Sequence, residues 1–142
     1  MGAADGVSGI LYILMSAMKI VPRLKQNQVL ISVIEPTLER ILFLLKQNGG
    51  YLPECDGKDR QFSISWCCGC PGVIPTLTLA SELFPKLRYQ LLDAACRAGQ
   101  LTWEKGLLLR GNGLCHGISG NGYVLNNLYR TFDKLEREAF SK

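Results

Sequence analysis

Two short residue pairs carry the chemistry of this 142-residue chain. Trp66-Cys67 lies just before a Gly-x-x-Gly element, Gly69 to Gly72. Cys115-His116 lies just before a second, Gly117 to Gly120. Two thiols and one imidazole are soft-to-borderline ligands, the set a catalytic zinc with one open position tends to use. His116 is the chain's single histidine and sits directly beside one of these cysteines, so a shared metal site is the leading expectation. The residues alone leave a plainer alternative open. A free cysteine is usually a small buried hydrophobe, and a lone histidine more often satisfies the core. The spacing fits no C-x-x-C finger, which argues against a structural finger.

Cys67 and Cys115 are 48 residues apart, so the fold must bring the two glycine elements together. An internal repeat supplies the means. Asp5-Gly-Val-Ser-Gly9-Ile10, Cys68-Gly-Cys-Pro-Gly72-Val73 and His116-Gly-Ile-Ser-Gly120-Asn121 share the pattern X-Gly-x-[Ser/Pro]-Gly before an apolar run. A unit of about 50 residues implies stacked supersecondary units, each too small to bury its own apolar face. Glycine at such a turn allows positive φ and lets backbone approach backbone, or a ligand, at a helix start.

Periodicity predicts an all-α chain. Ser8 to Ile20 is apolar almost all round and reads as a buried inner helix. Gln28 to Gln47 carries Leu38, Ile41, Leu42 and Leu45 at helical spacing. Pro36 should kink that helix or start a second one, and Asn48-Gly49-Gly50 should stop it. Residues 51 to 64 read as a loop. Gly72 to Phe84 is expected to be the second inner helix, with Pro75 in its first turn. Lys86 to Ala98 reads as an outer helix, 106 to 113 as a loop, and Ser119 to Thr131 as the third inner helix. Helical hairpins in this order curl into an α/α toroid. About two and a half repeats are present, an incomplete ring, so residues 1–142 read as one partial toroid domain, a fragment or degenerate copy of a longer parent. In such a ring the glycine turns gather at one mouth, where Cys67 would face Cys115 and His116. The end helices of an isolated arc would expose apolar faces, so aggregation or partner dependence is expected.

Composition narrows the class. The chain is 47% apolar and 20% charged, with mean hydropathy near zero, which excludes a disordered chain. The net charge of +4 is spread without a dense basic run, so no nucleic acid partner is expected. The six cysteines crowd at 67, 68 and 70, and Asp5 stands where a secretory signal would carry positive charge. The apolar run from Val7 to Val21 is short for a bilayer span, and Gly6 stands where a myristoylation signal wants Ser or Thr. A reducing, cytoplasmic setting follows as the expectation, with peripheral membrane contact left open.

The motifs carry a resemblance. Ser65-Trp66-Cys67-Cys68-Gly69-Cys70-Pro71-Gly72-Val73-Ile74 resembles the W-C-x-G-x-P-G-[VI] motif of the LanC-like proteins, relatives of lanthionine synthetase C. Gly113 to Tyr123 resembles that family's G-L-C-H-G-x-x-G-N-x-Y motif, and Gly2 to Ile10 its G-x-A-H-G-x-x-G-I motif. The resemblance covers nearly the whole chain and implies an α/α toroid. It implies Zn2+ held by Cys67, Cys115 and His116. It also implies a reaction: addition of a peptide cysteine or glutathione thiol to dehydroalanine or dehydrobutyrine in a peptide or protein. Asp5 and Cys68 fall at the candidate catalytic positions and depart from the pattern. The first motif usually offers His where Asp5 stands, and eukaryotic members usually have His where Cys68 stands. A carboxylate with an ordinary pKa of about 3.9 is a poor acid at neutral pH. A non-catalytic, zinc-stabilised module binding glutathione or peptide is therefore the alternative function.

Other residues have two readings each. Cys68 and Cys70 are extra soft ligands or a redox pair with Cys67, or else small residues suiting a tight turn. Asn121 and Tyr123 orient the ligands or serve as cap and packing residues. Arg110 meets a glutathione carboxylate or is merely solvated. Trp103, Cys55 and Cys96 read as packing or surface residues. A carbohydrate-active toroid would need paired carboxylates, for which Asp5, Glu54 and Asp56 are the candidates; it ranks low.

Overall fold

Helix α1 (Val7–Ile20) leads through a 3-10 turn, Pro22–Gln26, into α2 (Gln28–Gln47). Asn27 caps α2, its side chain accepting from Leu30 N–H at 3.1 Å, which satisfies one of the orphan donors of the first turn. At the other end Gly49 and Gly50 take φ of 62° and 95°. Gly50 N–H donates to Leu45 O and Gly49 N–H to Lys46 O, the paired bonds of a Schellman stop. Pro36 does not start a second helix; α2 runs through it as one element. Pro36 and Ser32, whose carbonyl loses its intrahelical donor, are both exposed, so water can take the place of the missing N–H.

The computed structural model describes residues 1–55 and 61–140. Asp56 and part of the expected 51–64 loop lie outside them. The described parts of that loop carry one isolated antiparallel bridge, Pro53 to Phe62, before α3 (Cys70–Leu83). Helix α3 starts two residues earlier than Gly72 because Pro71, near its N-terminus, is preorganised for a helix start. Pro75 therefore falls inside the helix rather than in its first turn. A 3-10 turn, Pro85–Leu87, leads to α4 (Arg88–Lys105), and the 106–117 loop leads to α5 (Ile118–Phe140). Helix α4 continues past Ala98 through Gly99. A Cβ on Gly99 would lie 2.4 Å from Leu128 Cδ2 on α5, so this glycine serves helix packing and is no stop signal. Helix α5 runs on to Phe140, where Asp133–Arg137 and Lys134–Glu138 form i,i+4 ion pairs on its exposed last turns.

The described residues hold helices and no strand beyond that bridge. Helix α3 lies between α1 and α5, α4 packs on α3 and α5, and α2 packs on α4. This is the inner and outer order read from the repeat. Helix α3 is buried over most of its circumference, from Val73, Ile74 and Leu77 to Thr76, Thr78 and Ser81, with Glu82 exposed near its end. Helix α1 is less enclosed than expected. Leu11, Met15 and Met18 enter the core, while Ile10, Ile13 and Ile20 are 61%, 66% and 79% exposed, because none of the described residues covers that flank. Among the described residues no helix is long and apolar enough to cross a membrane.

The three inner helices are also joined by charge. Glu82 of α3 accepts from Lys19 of α1 at 2.7 Å and from Lys134 of α5 at 3.0 Å. Partial burial pushes the Glu82 carboxyl up, but the Lys19 and Lys134 ammonium groups outweigh this and hold it below its ordinary 4.5. A carboxyl depressed on folding stabilises fully above its unfolded pKa and loses that contribution as pH falls through the folded value. Glu82→Gln is expected to lower stability by about 1 kcal/mol at pH 7 and by much less at pH 3. Urea melts at the two pH values read this out; equal losses at both would contradict the account.

Candidate metal centre

The glycine turns precede α1, α3 and α5, and backbone hydrogen bonds stitch them in series. Ala3 and Ala4 N–H donate to Trp66 O and Cys67 O at 3.4 and 3.2 Å, and Cys67 N–H donates to Cys115 O at 3.0 Å. The glycines are required by closeness, not by positive φ. Gly6 and Gly69 have φ of −112° and −107°, and among the described residues only Gly49, Gly50 and Gly111 are positive. The expectation of left-handed turn glycines is thus corrected. A Cβ on Gly9, Gly72 or Gly120 would lie 2.1, 2.0 or 2.0 Å from Ala3 O, Trp66 O or Leu114 O respectively. In each turn the obstructing carbonyl stands at the same place in the repeat, so one geometry is built three times.

That geometry delivers the expected cluster. The ligand atoms of Cys67, Cys115 and His116 all lie within 4.8 Å of one another. Cys67 is half-buried, and Cys115 and His116 are exposed, so the cluster opens to solvent on one side. Burial pushes the Cys67 thiol up, but hydrogen bonds from Ser65, Cys68 and Cys115 outweigh it and hold Cys67 below its ordinary value. Cys115 is pushed up, first by its hydrogen bond to Cys67, then by desolvation and by the charges of Cys67 and Asp5. Cys68 is pushed up to about 11, again first by its hydrogen bond to Cys67. The hydrogen bonds among the three thiols thus act in opposite directions, lowering Cys67 and raising its two partners.

The other candidates separate around this cluster. Asp5 is exposed and near enough for its charge to act on Cys115. Cys68 is hydrogen-bonded to Cys67 but does not join the three-atom cluster. Cys70 is buried against Leu52 N–H, and burial pushes it up to about 12; it is a core residue. Glu54 acts electrostatically on Cys68. Trp103, Cys55, Cys96 and Arg110 are exposed, and Tyr123 is 66% exposed.

Asn121 has a definite structural role. Its side-chain amide donates to Ile64 O and Gly106 O, each at 2.9 Å. It ties the stretch of chain leading into Trp66-Cys67 to the start of the loop that carries Cys115-His116. Its Oδ1 is buried without a partner among the described residues. Sequence reasoning missed Ser65 altogether. This residue is buried, and its Oγ lies 3.5 Å from Cys67 Sγ; its place two residues before a ligand was the one available signal.

A family model described as lanthionine synthetase C-like protein matches residues 1–140. The chain belongs to the LanC-like family. It is 39% identical over 130 residues to a zebrafish (Danio rerio) protein named glutathione S-transferase LANCL1, covering 91% of this chain and 30% of that protein. It is 34% identical over 129 residues to the LanC-like protein GCL1 of Arabidopsis thaliana, covering 91% of this chain and 28% of that one. This LanC-like chain thus spans less than a third of the length of the curated relatives it matches.

Proposed function

We propose that this chain is the zinc-binding part of a LanC-like protein that adds a cysteine or glutathione thiol to dehydroalanine or dehydrobutyrine residues of a peptide or protein. The observation that carries the reading is the convergence of Cys67, Cys115 and His116 within 4.8 Å, on turns that match the family's motifs. The donor set fits the ion: two thiols and an imidazole, held by turns that are hydrogen-bonded to one another, leave a tetrahedral metal one open position. Zinc held there would keep an incoming thiol deprotonated at neutral pH. The name of the zebrafish relative supports glutathione as that thiol.

The chain's own residues supply the rest. Cys115 and His116 face solvent, which gives a dehydrated peptide room to approach. The thiol sulfur adds to the β-carbon of the dehydrated residue, and a proton is delivered to its α-carbon. Asp5, beside Cys115, and Cys68, beside Cys67, are the groups placed to hold or move that proton. On this reading residues 1–142 form one partial α/α toroid domain of a cytoplasmic protein.

The departures at Asp5 and Cys68 favour a second reading, a zinc-stabilised module that binds glutathione or peptide without turning it over. An assay with glutathione and a dehydroalanine peptide separates the two. Zinc-dependent thioether formation by the wild type, raised about 10²-fold by Asp5→His, is the expected result. No product from either protein would contradict the enzymatic reading and leave binding.

A further inference from the structure

Ser65 has a hydroxyl with nowhere else to go. The residue is 2% exposed, and its Oγ lies 3.5 Å from Cys67 Sγ and 2.8 Å from Ser63 Oγ. Its backbone is pinned as well: Gly69 N–H donates to Ser65 O at 2.9 Å. Ser63 O fills the space where a Gly69 Cβ would stand, at 1.9 Å. The hydroxyl is thus enclosed beside Cys67 Sγ and Ser63 Oγ, and a buried hydroxyl without a partner is destabilising. A metal-bound thiolate only accepts hydrogen bonds. With the ion in place the order of donation is set: Ser63 to Ser65, and Ser65 to Cys67.

We propose that Ser65 is a positioning residue of the metal centre, its hydroxyl donating to Cys67 Sγ while Ser63 donates to Ser65. The proposal rests on the metal reading above. The relay restricts the rotamer of Cys67, so that its sulfur faces Cys115 and His116. It also draws electron density from that sulfur and lowers the energy of its lone pairs. Outer-shell bonds of this kind hold a ligand in its binding geometry, and their loss typically weakens metal affinity by about 10- to 100-fold. Ser65 would thus set both how tightly the site binds and how electron-rich one of its two thiolates is.

Cobalt(II) titration of the 142-residue chain tests this, because the thiolate-to-cobalt charge-transfer band reports the sulfur lone pairs directly. Ser65→Ala is expected to weaken cobalt binding about tenfold and to move the band to longer wavelength. Ser65→Thr, which restores the hydroxyl, should return both toward wild type. Ser63→Ala, at a half-buried position, should shift the band in the same direction by less, and it decides the matter if Ser65→Ala does not fold by circular dichroism. Wild-type band and affinity in both alanine variants, or a threonine variant that behaves like the alanine one, would overturn the proposal. A wild-type protein with no thiolate-to-cobalt band would instead overturn the metal reading, and the proposal with it.

Discussion

Gly72→Ala is expected to be among the most damaging single-methyl additions in this protein. The new Cβ would stand 2.0 Å from Trp66 O and 3.0 Å from both Ala3 N and Ala3 Cβ. The obstacles are chiefly backbone, so no side chain can turn aside to make room. Trp66 O is also the acceptor for Ala3 N–H. The displacement therefore strikes the bond between the first two turns and the peptide leading into Cys67. A loss of about 3 kcal/mol and a fall in melting temperature on the order of 10 °C are expected. Gly122→Ala is the control. This glycine lies in α5, and beyond its own stretch of helix none of the described residues stands within 4 Å of where its Cβ would be, so alanine there should stabilise by up to about 1 kcal/mol. Thermal melts of the two variants compare them; a Gly72→Ala protein that melts with the wild type would refute the close-approach account of the turns.

The second large effect concerns the ion. A ligand that binds only the folded chain stabilises it by about 4 kcal/mol when present at a thousand times its dissociation constant. Zinc is therefore expected to raise the melting temperature of the wild type by on the order of 10 °C. Cys115→Ala should lose nearly all of this increment. Because Cys115 is exposed, the same substitution should alter the zinc-free melt little. The comparison of zinc-loaded and chelator-treated protein thus isolates the metal's share. An equal zinc increment in wild type and variant would remove Cys115 from the ligand set.

Local chemistry was readable in the sequence, and long-range constraint was much less so. The bounds of α2 could be read because Asn48-Gly49-Gly50 stops the helix with its own backbone bonds. The end of α4 could not, since Gly99 is a glycine on account of Leu128, a residue of another helix. The full length of α5 was hidden for a different reason: its last turns are held by ion pairs along their own surface, not by an apolar stripe. The meeting of Cys67 with Cys115 and His116 followed from the repeat, because three like turns before three inner helices must be placed alike. What the repeat does not contain was not legible. Ser65 on Cys67 and Asn121 across two loops depend on how neighbouring units pack. The glycines themselves were recognised, but half of their reason was misread, since crowding by a carbonyl and a need for positive φ leave the same mark in a sequence.

Zinc K-edge X-ray absorption of the zinc-loaded chain tests the central claim most directly, because it counts sulfur against nitrogen and oxygen around the ion. The expected shell is two sulfurs at about 2.3 Å, with one imidazole nitrogen and one further light atom at about 2.0–2.1 Å, from Cys67, Cys115, His116 and the open position. Three or four sulfurs would bring Cys68 or Cys70 into the shell and close the site, and a shell without sulfur would contradict the assignment of both cysteines.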